Sequence, residues 1–298
     1  MENNEPNFSF DYDGEDFTVQ VGNESLRGCY WIPQNRVVEF LVIYVHDIGS
    51  FGSQNHDVYD AINQRGGAVF VCDHLGHGRS PGPRLALTIH DITKEISAMI
   101  TYAISTYKNV PVYLYGPAAG ALAILAFILE KSQNHEHVSG VVLEAPWVGA
   151  WEQREIGVFE TTFLLLMNKI MPNYIFDLKF TRYTNETFKR FIDMSEKCPL
   201  YFPYMTPKFY ISAMQTITNV RARYETWPNN IRLHVACARD DTVFISTQVI
   251  EFMNGIKRAV KAADGKIYNS GHLITKGRER ERFLQDIINF FTQNQKKK

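Results

Sequence analysis

Short apolar runs recur along this chain and predict the strands of a sheet. Continuous hydrophobic stretches occupy 40–45, 68–71, 112–115 and 141–143, and further strand candidates lie at 233–236 and 266–268. Runs of this length between polar or glycine-containing segments are typical of strands that are covered on both faces. The segment 17–33 instead predicts a β-hairpin, because Gly22-Asn23 supplies a turn between its two halves.

Helical spacing occurs between these runs. Apolar residues at steps of three and four give one buried face to a predicted helix, and they are Ile89, Ile92, Ile96, Met99, Ile100 and Ala103. Further helices are predicted at 121–129, 245–260 and 278–291. Strands that alternate with helices predict the α/β fold class, with a mostly parallel, doubly wound sheet.

The alternation stops in the segment 147–227, which combines amphipathic helical patterns with many aromatic residues. We expect this segment to form a helical cap (lid) inserted into a core of 17–146 and 228–294. Its aromatic residues include Phe159, Phe163, Phe180, Tyr183, Phe188, Phe191, Tyr201, Phe202, Tyr204, Phe209 and Tyr210. These side chains either pack the cap onto the core or line an apolar ligand pocket, and spacing alone does not distinguish the two roles.

Charge narrows the classes of function. The formal net charge of -1 gives no global attraction to nucleic acid, so no nucleic-acid partner is expected. Residues 1–16 carry acidic side chains and no basic one, which predicts an acidic N-terminal tail, and Lys296, Lys297 and Lys298 close the chain. We expect a cytoplasmic protein, because there is no basic-then-apolar signal peptide and no apolar run of the roughly 20 residues that span a membrane.

The cysteines indicate no cofactor chemistry. Cys29, Cys72, Cys198 and Cys237 are scattered, with no CxxC motif and no Cys/His spacing suited to a metal. Cys72 and Cys237 lie in apolar runs, where cysteine commonly serves as a small buried hydrophobic residue. The cysteines therefore give no indication of a metal site.

The motif at 116–120, Gly-Pro-Ala-Ala-Gly, is the most informative one in the chain. It lies between the strand predicted at 112–115 and the helix predicted at 121–129, and a strand, a Gly-x-Ser-x-Gly turn and a helix form the nucleophile elbow of serine hydrolases. Ala118 occupies the nucleophile position, and a methyl group cannot attack a carbonyl. No serine, threonine or cysteine lies within the turn to replace it.

Other motifs accompany this turn in a fixed order. They are His46-Asp47-Ile48-Gly49, Asp73-His74-Leu75-Gly76-His77-Gly78-Arg79-Ser80, Pro199-Leu200, Thr206-Pro207-Lys208-Phe209-Tyr210, Ala238-Arg239-Asp240-Asp241-Thr242-Val243 and Asn269-Ser270-Gly271-His272. Together with the turn, the set resembles the monoacylglycerol lipase/lysophospholipase-like α/β-hydrolases of the serine aminopeptidase S33 type. The resemblance covers 17–291, and its string at 73–80 is highly specific.

The resemblance implies a reaction and a set of site residues. The reaction is hydrolysis of a carboxylic ester on an apolar acyl substrate through an acyl-serine, without a metal or an organic cofactor. Asp241 and His272 match the acid and the base of the catalytic triad, and Asp240 is the neighbouring alternative for the acid. The backbone N–H groups of Ile48 and Ala119 match the oxyanion hole.

The chain also departs from the family pattern near the site. The family usually has glycine where this chain has Asp47, and a carboxylate there opposes a developing oxyanion. Pro117 replaces a usual histidine at a variable position and carries less weight. His77 and Asp73 invite a metal or proton-relay role, but hydrogen bonding within their Gly-rich loop is the preferred interpretation. Glu144 is likewise assigned to local packing or hydrogen bonding.

Two explanations of Ala118 remain at this point. A natural loss of the nucleophile leaves an inactive or nearly inactive pseudoenzyme that binds a small apolar acyl or lipid ligand, and the second departure at Asp47 favours this explanation. The alternative is an active monoacylglycerol or lysophospholipid hydrolase captured as a serine-to-alanine variant. An acyltransferase or a peptidase on the same fold is a further alternative. Transient contact of the cap with a membrane surface is also expected.

Overall fold

An eight-stranded sheet forms the centre of the computed structural model, which describes residues 8–34, 36–152, 158–177 and 186–293. Its strands are β1 (Glu15–Val21), β2 (Glu24–Trp31), β3 (Phe40–Tyr44), β4 (Gly67–Cys72), β5 (Val112–Pro117), β6 (Val138–Glu144), β9 (Arg232–Ala238) and β10 (Ala263–Tyr268). Two short strands, β7 (Phe176–Asp177) and β8 (Tyr204–Met205), pair with each other. The order in the large sheet is β1-β2-β4-β3-β5-β6-β9-β10.

Strand pairing follows the sequence-based expectation. β1 and β2 form the predicted hairpin, and Val21 pairs with Glu24 across a turn in which Gly22 has a φ of +60°. β2 is antiparallel to β4, and from β4 to β10 all neighbouring strands are parallel. The mostly parallel sheet of the predicted α/β class is thereby confirmed.

Helices cover both faces of the sheet. They are α1 (His56–Asn63), α2 (Ile89–Thr106), α3 (Ala118–Leu129), α4 (Val158–Ile170), α5 (Glu186–Ser195), α6 (Pro207–Arg223), α7 (Ser246–Ala259) and α8 (Arg280–Thr292). Leu41 and Ile43 of β3 face a hydrophobic cluster that includes residues of α2, α3, α6 and α7. The alternate residues Phe40 and Val42 face a second cluster that includes residues of α1 and α8. Alternation along the strand therefore gives the sheet two buried faces.

Two helices differ from the sequence-based expectation. The pattern did not predict α1, because this short helix buries only Val58, Tyr59 and Ile62. The helix predicted at 121–129 begins earlier, at Ala118, because the residues of the turn form its first turn. α3 is buried along its whole length, so its own sequence shows no amphipathic face from which to place its start.

The segment expected to form the cap contains α4, β7, α5, β8 and α6. α6 joins the core through buried residues such as Phe209, whereas α4 leaves most of its large apolar side chains exposed. Residues 153–157 and 178–185, with Phe180 and Tyr183, lie outside the described residues. Within the described ranges, none of the helices combines the length and the apolarity needed to cross a bilayer.

Part of the acidic tail expected at 1–16 packs onto the fold. Phe8 is buried, and its ring lies edge-on to that of Phe191 at a centroid distance of 5.3 Å. The hydroxyl of Tyr12 donates a hydrogen bond to Asp73 at 2.7 Å. Residues 1–7 and the three closing lysines lie outside the described residues.

Candidate active site

The turn at 116–120 joins β5 directly to α3. Ala118 has a φ of +45°, and a backbone held in this sparsely populated region costs about 1–3 kcal/mol in a residue other than glycine. Two glycines permit the close packing around it. A Cβ atom on Gly120 would lie 2.0 Å from the carbonyl oxygen of Val45, and one on Gly116 would lie 2.9 Å from the same oxygen. The backbone of a nucleophile elbow is therefore present, with a methyl group as its side chain.

The structure brings Asp241 and His272 together. They follow β9 and β10, which are adjacent and parallel, so both lie beyond the carboxyl ends of the strands. The Nδ1 atom of His272 lies 3.0 Å from Oδ2 of Asp241, whose Oδ1 accepts the backbone N–H groups of Val243 at 2.8 Å and Phe244 at 3.0 Å. A carboxylate in this position keeps a proton on Nδ1 and leaves Nε2 as the base. Asp240, the alternative acid, is exposed.

Nearby carboxylates favour the protonated form of His272. Burial lowers the pKa of this imidazole, but the Asp241 carboxylate raises it, and those of Asp47 and Glu144 raise it further, so that the pKa lies above its usual value. Glu144 also accepts the hydroxyl of Tyr115 at 2.5 Å and the backbone N–H of Thr275 at 2.8 Å. This local hydrogen bonding, which the sequence predicted for Glu144, ties the loop after His272 to β6.

The two N–H groups matched to an oxyanion hole are bound to a side chain of the protein itself. The N–H of Ile48 donates to Oδ1 of Asp47 at 2.8 Å, and the N–H of Ala119 donates to the same oxygen at 3.0 Å. Both are hydrogen bonds of ordinary length. A substrate carbonyl oxygen needs the same two donors as its charge develops, so it cannot bind them while Asp47 holds this position.

The charge of Asp47 is coupled to its surroundings. Burial raises the pKa of the Asp47 carboxyl, whereas the charge of His272 and the hydrogen bonds from Ala119 and Ile48 act in the opposite direction. The net effect is a raised pKa. Because Asp47 also raises the pKa of His272, each of these two groups stabilises the charged form of the other.

Three buried histidines shape the loop that carries Asp47. The N–H of His74 donates to Nε2 of His46 at 3.1 Å, so His46 carries its proton on Nδ1, which lies 2.8 Å from the carbonyl oxygen of Asp47. The N–H of Gly49 donates to Nε2 of His77 at 3.1 Å. Burial, the first cause, lowers the pKa of His77 to about 3, so this ring is neutral. His77 therefore acts as a hydrogen-bond acceptor within the loop.

His74 and Asp73 also bind within the protein. His74 places Nδ1 2.5 Å from a carboxylate oxygen of Glu95 and Nε2 2.9 Å from the carbonyl oxygen of His46. Both partners are acceptors, so the ring is an imidazolium; burial lowers its pKa, but Glu95 outweighs burial and the pKa is raised. Asp73 accepts the N–H groups of Gly52 and Arg79. Among the described residues, no group of three or more His, Cys, Asp or Glu side chains suits a metal.

A cavity of about 120 Å³ lies beside Asp47 and His272. Its walls are mostly apolar, and the aromatic residues among them are Trp147, Trp151, Phe191, Tyr201, Tyr204 and Phe244. No lysine or arginine is among the described residues that line it. An apolar lining with a few polar groups is typical of ligand pockets, and this cavity is smaller than the roughly 300–1,000 Å³ of most of them.

Sequence reasoning identified most of these residues but missed one relation. It noted that the carboxylate of Asp47 opposes an oxyanion, yet it did not predict that this carboxylate binds the two N–H groups expected to form the oxyanion hole. Part of this relation could have been predicted from the sequence, because Asp47 immediately precedes Ile48, one of the two expected donors. The contact with Ala119 depends on the packing of the loop against the elbow, which the sequence does not show.

Comparisons with other sequences agree with the motifs. The profile of the Hydrolase_4 family, described as serine aminopeptidase, S33, matches residues 38–272. A monoglyceride lipase homolog of Monkeypox virus is 30% identical over 156 residues, which are 51% of this chain and 53% of that protein. The monoglyceride lipase of Homo sapiens is 26% identical over 157 residues, which are 52% of this chain and 50% of that protein. These matches span about half the length of each relative.

Solved structures show the same fold at low identity. A soluble variant of the monoglyceride lipase from Saccharomyces cerevisiae, in complex with a substrate analog, has a TM-score of 0.82 and 15% identity and covers 97% of this chain and 98% of that one. The monoacylglycerol lipase of Paleococcus ferrophilus has a TM-score of 0.75 and 18% identity and covers 89% and 98%. The α/β-hydrolase fold extends over nearly the whole chain.

Proposed function

The chain belongs to the Hydrolase_4 (serine aminopeptidase, S33) family, and we propose that it is a pseudo-hydrolase, which binds a small apolar acyl ligand and hydrolyses esters very slowly or not at all. The observation that carries this proposal is the position of Asp47, whose carboxylate binds both N–H groups of the oxyanion hole. Ala118 at the elbow supports it independently, since the position offers no nucleophile.

The two departures remove different parts of the reaction. Hydrolases that lose a triad member still accelerate hydrolysis about 10³–10⁴-fold over water, because binding and the oxyanion hole persist. That residual activity needs free oxyanion donors. With both donors bound to Asp47, we expect it to fall by a further factor of about 10²–10³.

The pocket supports an acyl ligand. The cavity beside His272 has mostly apolar described walls, and relatives with the same motifs are named monoglyceride lipases. We propose a ligand of the monoacylglycerol or lysophospholipid type. Its acyl chain would lie against the aromatic side chains, and its ester group would lie near the elbow without being attacked.

Two measurements test this function. Turnover of 1-monooctanoylglycerol and labelling by a fluorophosphonate are expected to be at background for the parent chain and equal to those of its His272→Ala variant. Displacement of a fluorescent acyl probe by 1-monooctanoylglycerol is expected for the parent. Turnover that His272→Ala abolishes contradicts the loss of activity, and a folded parent that binds no acyl compound contradicts the binding role.

One observation favours the alternative of an active serine hydrolase. The His272–Asp241 pair and the left-handed φ of Ala118 are two features that a serine nucleophile at 118 would need. If Ala118→Ser alone restores full turnover and labelling, the parent is best understood as an inactivated esterase. If it restores little, the position of Asp47 accounts for the remaining loss.

We also propose that α4 contacts a membrane surface. The exposed large apolar side chains on and just after this helix are Phe159, Phe163, Leu165, Leu166, Ile170, Met171, Tyr174 and Ile175. An exposed apolar patch of this kind is typical of a membrane or protein contact. Co-sedimentation with phosphatidylcholine vesicles is expected to decrease for Phe159→Ser and Phe163→Ser. Val37→Ser, which changes an exposed apolar residue elsewhere, serves as the control.

A further inference from the structure

We infer that Asp47 makes the pocket select neutral acyl ligands over fatty-acid anions. The inference rests on the proposed function, since it specifies the chemical class of the ligand. It begins with the two N–H groups of Ile48 and Ala119, which are the donors that a bound carboxylate would need at the elbow. Asp47 already supplies a carboxylate oxygen to both, so the protein carries its own substitute for an anionic head group.

The charges around the cavity point in the same direction. No lysine or arginine is among the described residues that line the cavity, and the histidine among them, His272, is already paired with Asp241 at 3.0 Å. A fatty-acid carboxylate in the pocket would face the Asp47 carboxylate without an unused counter-charge. Two carboxylates that share a buried site disfavour each other's ionisation, so the fatty-acid anion is excluded or binds in its protonated form.

A neutral head group avoids this repulsion, because it places no charge opposite the Asp47 carboxylate. The ligand class is therefore a neutral acyl compound.

Matched ligands separate charge from chain length. We would measure the affinity of the full chain for octanoate and for methyl octanoate at pH 8, where octanoate is ionised, by displacement of a neutral fluorescent acyl probe. The parent is expected to bind methyl octanoate about tenfold or more tightly than octanoate. Equal affinities, or a preference for octanoate, would overturn the inference and leave the binding function intact.

Variants at position 47 separate the effect of the Asp47 charge from the effect of its hydrogen bonds to the two N–H groups. Asp47→Asn keeps a side-chain oxygen for the two N–H groups but removes the charge, and Asp47→Gly removes both. Octanoate affinity is expected to rise about tenfold in Asp47→Asn and further in Asp47→Gly, where the donors are released. Asp240→Asn, an exposed carboxylate outside the cavity lining, should change neither affinity. A gain in Asp240→Asn equal to that in Asp47→Asn would contradict a local effect.

A different result is expected if the proposed acyl-binding function itself is wrong. If neither octanoate nor methyl octanoate binds the parent or its Asp47 variants, although all are folded by circular dichroism, the acyl-binding function is wrong.

Discussion

The acid–base half of the candidate site, Asp241 and His272, forms a hydrogen-bonded pair, whereas the other half, the elbow and the loop at 46–49, presents a methyl group and a buried carboxylate. In the first half, Nδ1 of His272 lies 3.0 Å from the carboxylate of Asp241. In the second half, Ala118 stands at the strained turn, and Asp47 binds the donors that a substrate would use. The left-handed turn of an elbow is therefore compatible with a side chain that cannot act as a nucleophile.

The two halves also differ in how they are held. The loop after His272 is fixed by Glu144, and it is further fixed by the buried Lys276, whose Nζ lies 2.6 Å from Asp57 on α1. The elbow is fixed by close backbone packing around Gly120, and the hydrogen bond from Ala119 to Asp47 links it to the loop at 46–49. Charged contacts therefore hold the first half, and steric fit holds most of the second.

The largest expected effect on stability comes from breaking the anchor of the acid–base half. Asp57→Ala removes the partner of Lys276, whose side chain is 0% exposed, and leaves a buried charge uncompensated. We expect a loss of about 3–5 kcal/mol in the free energy of unfolding, measured by urea denaturation. Asp60→Ala, on the same helix but with a side chain 56% exposed, should cost no more than about 0.5 kcal/mol. Equal losses for the two variants would contradict the anchoring role.

A smaller loss is expected from changing the packing of the elbow. In Gly120→Ala the new Cβ atom would meet the carbonyl oxygen of Val45 at 2.0 Å, and a backbone atom cannot rotate away. The expected destabilisation is about 3 kcal/mol in the same assay. Gly22→Ala is a matched control, because its Cβ atom meets nothing within 4 Å and only the positive φ opposes it, at about 1 kcal/mol. If both variants lose the same amount, steric fit does not hold the elbow.

The smallest expected effect is a shift in pH dependence that links the two halves. With a serine at 118, His272 must be neutral to act as the base, so kcat/KM rises with pH through the pKa of His272. Asp47 helps to raise that pKa. The rising limb is therefore expected at lower pH in the Ala118→Ser/Asp47→Gly variant than in Ala118→Ser. An unchanged pH for the rising limb of kcat/KM would show that the charge of Asp47 does not affect the pKa of His272.

Much of the fold follows from the sequence, since each central strand is a continuous apolar run and needs no tertiary information to be recognised. α1 was missed because its three buried residues give too short a pattern. In the site, the resemblance matched Asp241 and His272 to the acid and the base, and the structure brings them within hydrogen-bond distance. The contact of Asp47 with Ala119 spans loops far apart in sequence, so only the folded chain shows it.

Fluorophosphonate labelling tests most directly whether Asp47 blocks the two N–H donors. We would compare the labelling rate at pH 8 in Ala118→Ser with that in Ala118→Ser/Asp47→Gly. The phosphonyl oxygen needs the N–H groups of Ile48 and Ala119, so releasing them should accelerate labelling about 10²–10³-fold. Ala118→Ser/Asp47→Asn should remain slow, because the amide oxygen still accepts both donors. Equal rates with aspartate and glycine at position 47 would contradict the claim that Asp47 blocks the oxyanion hole.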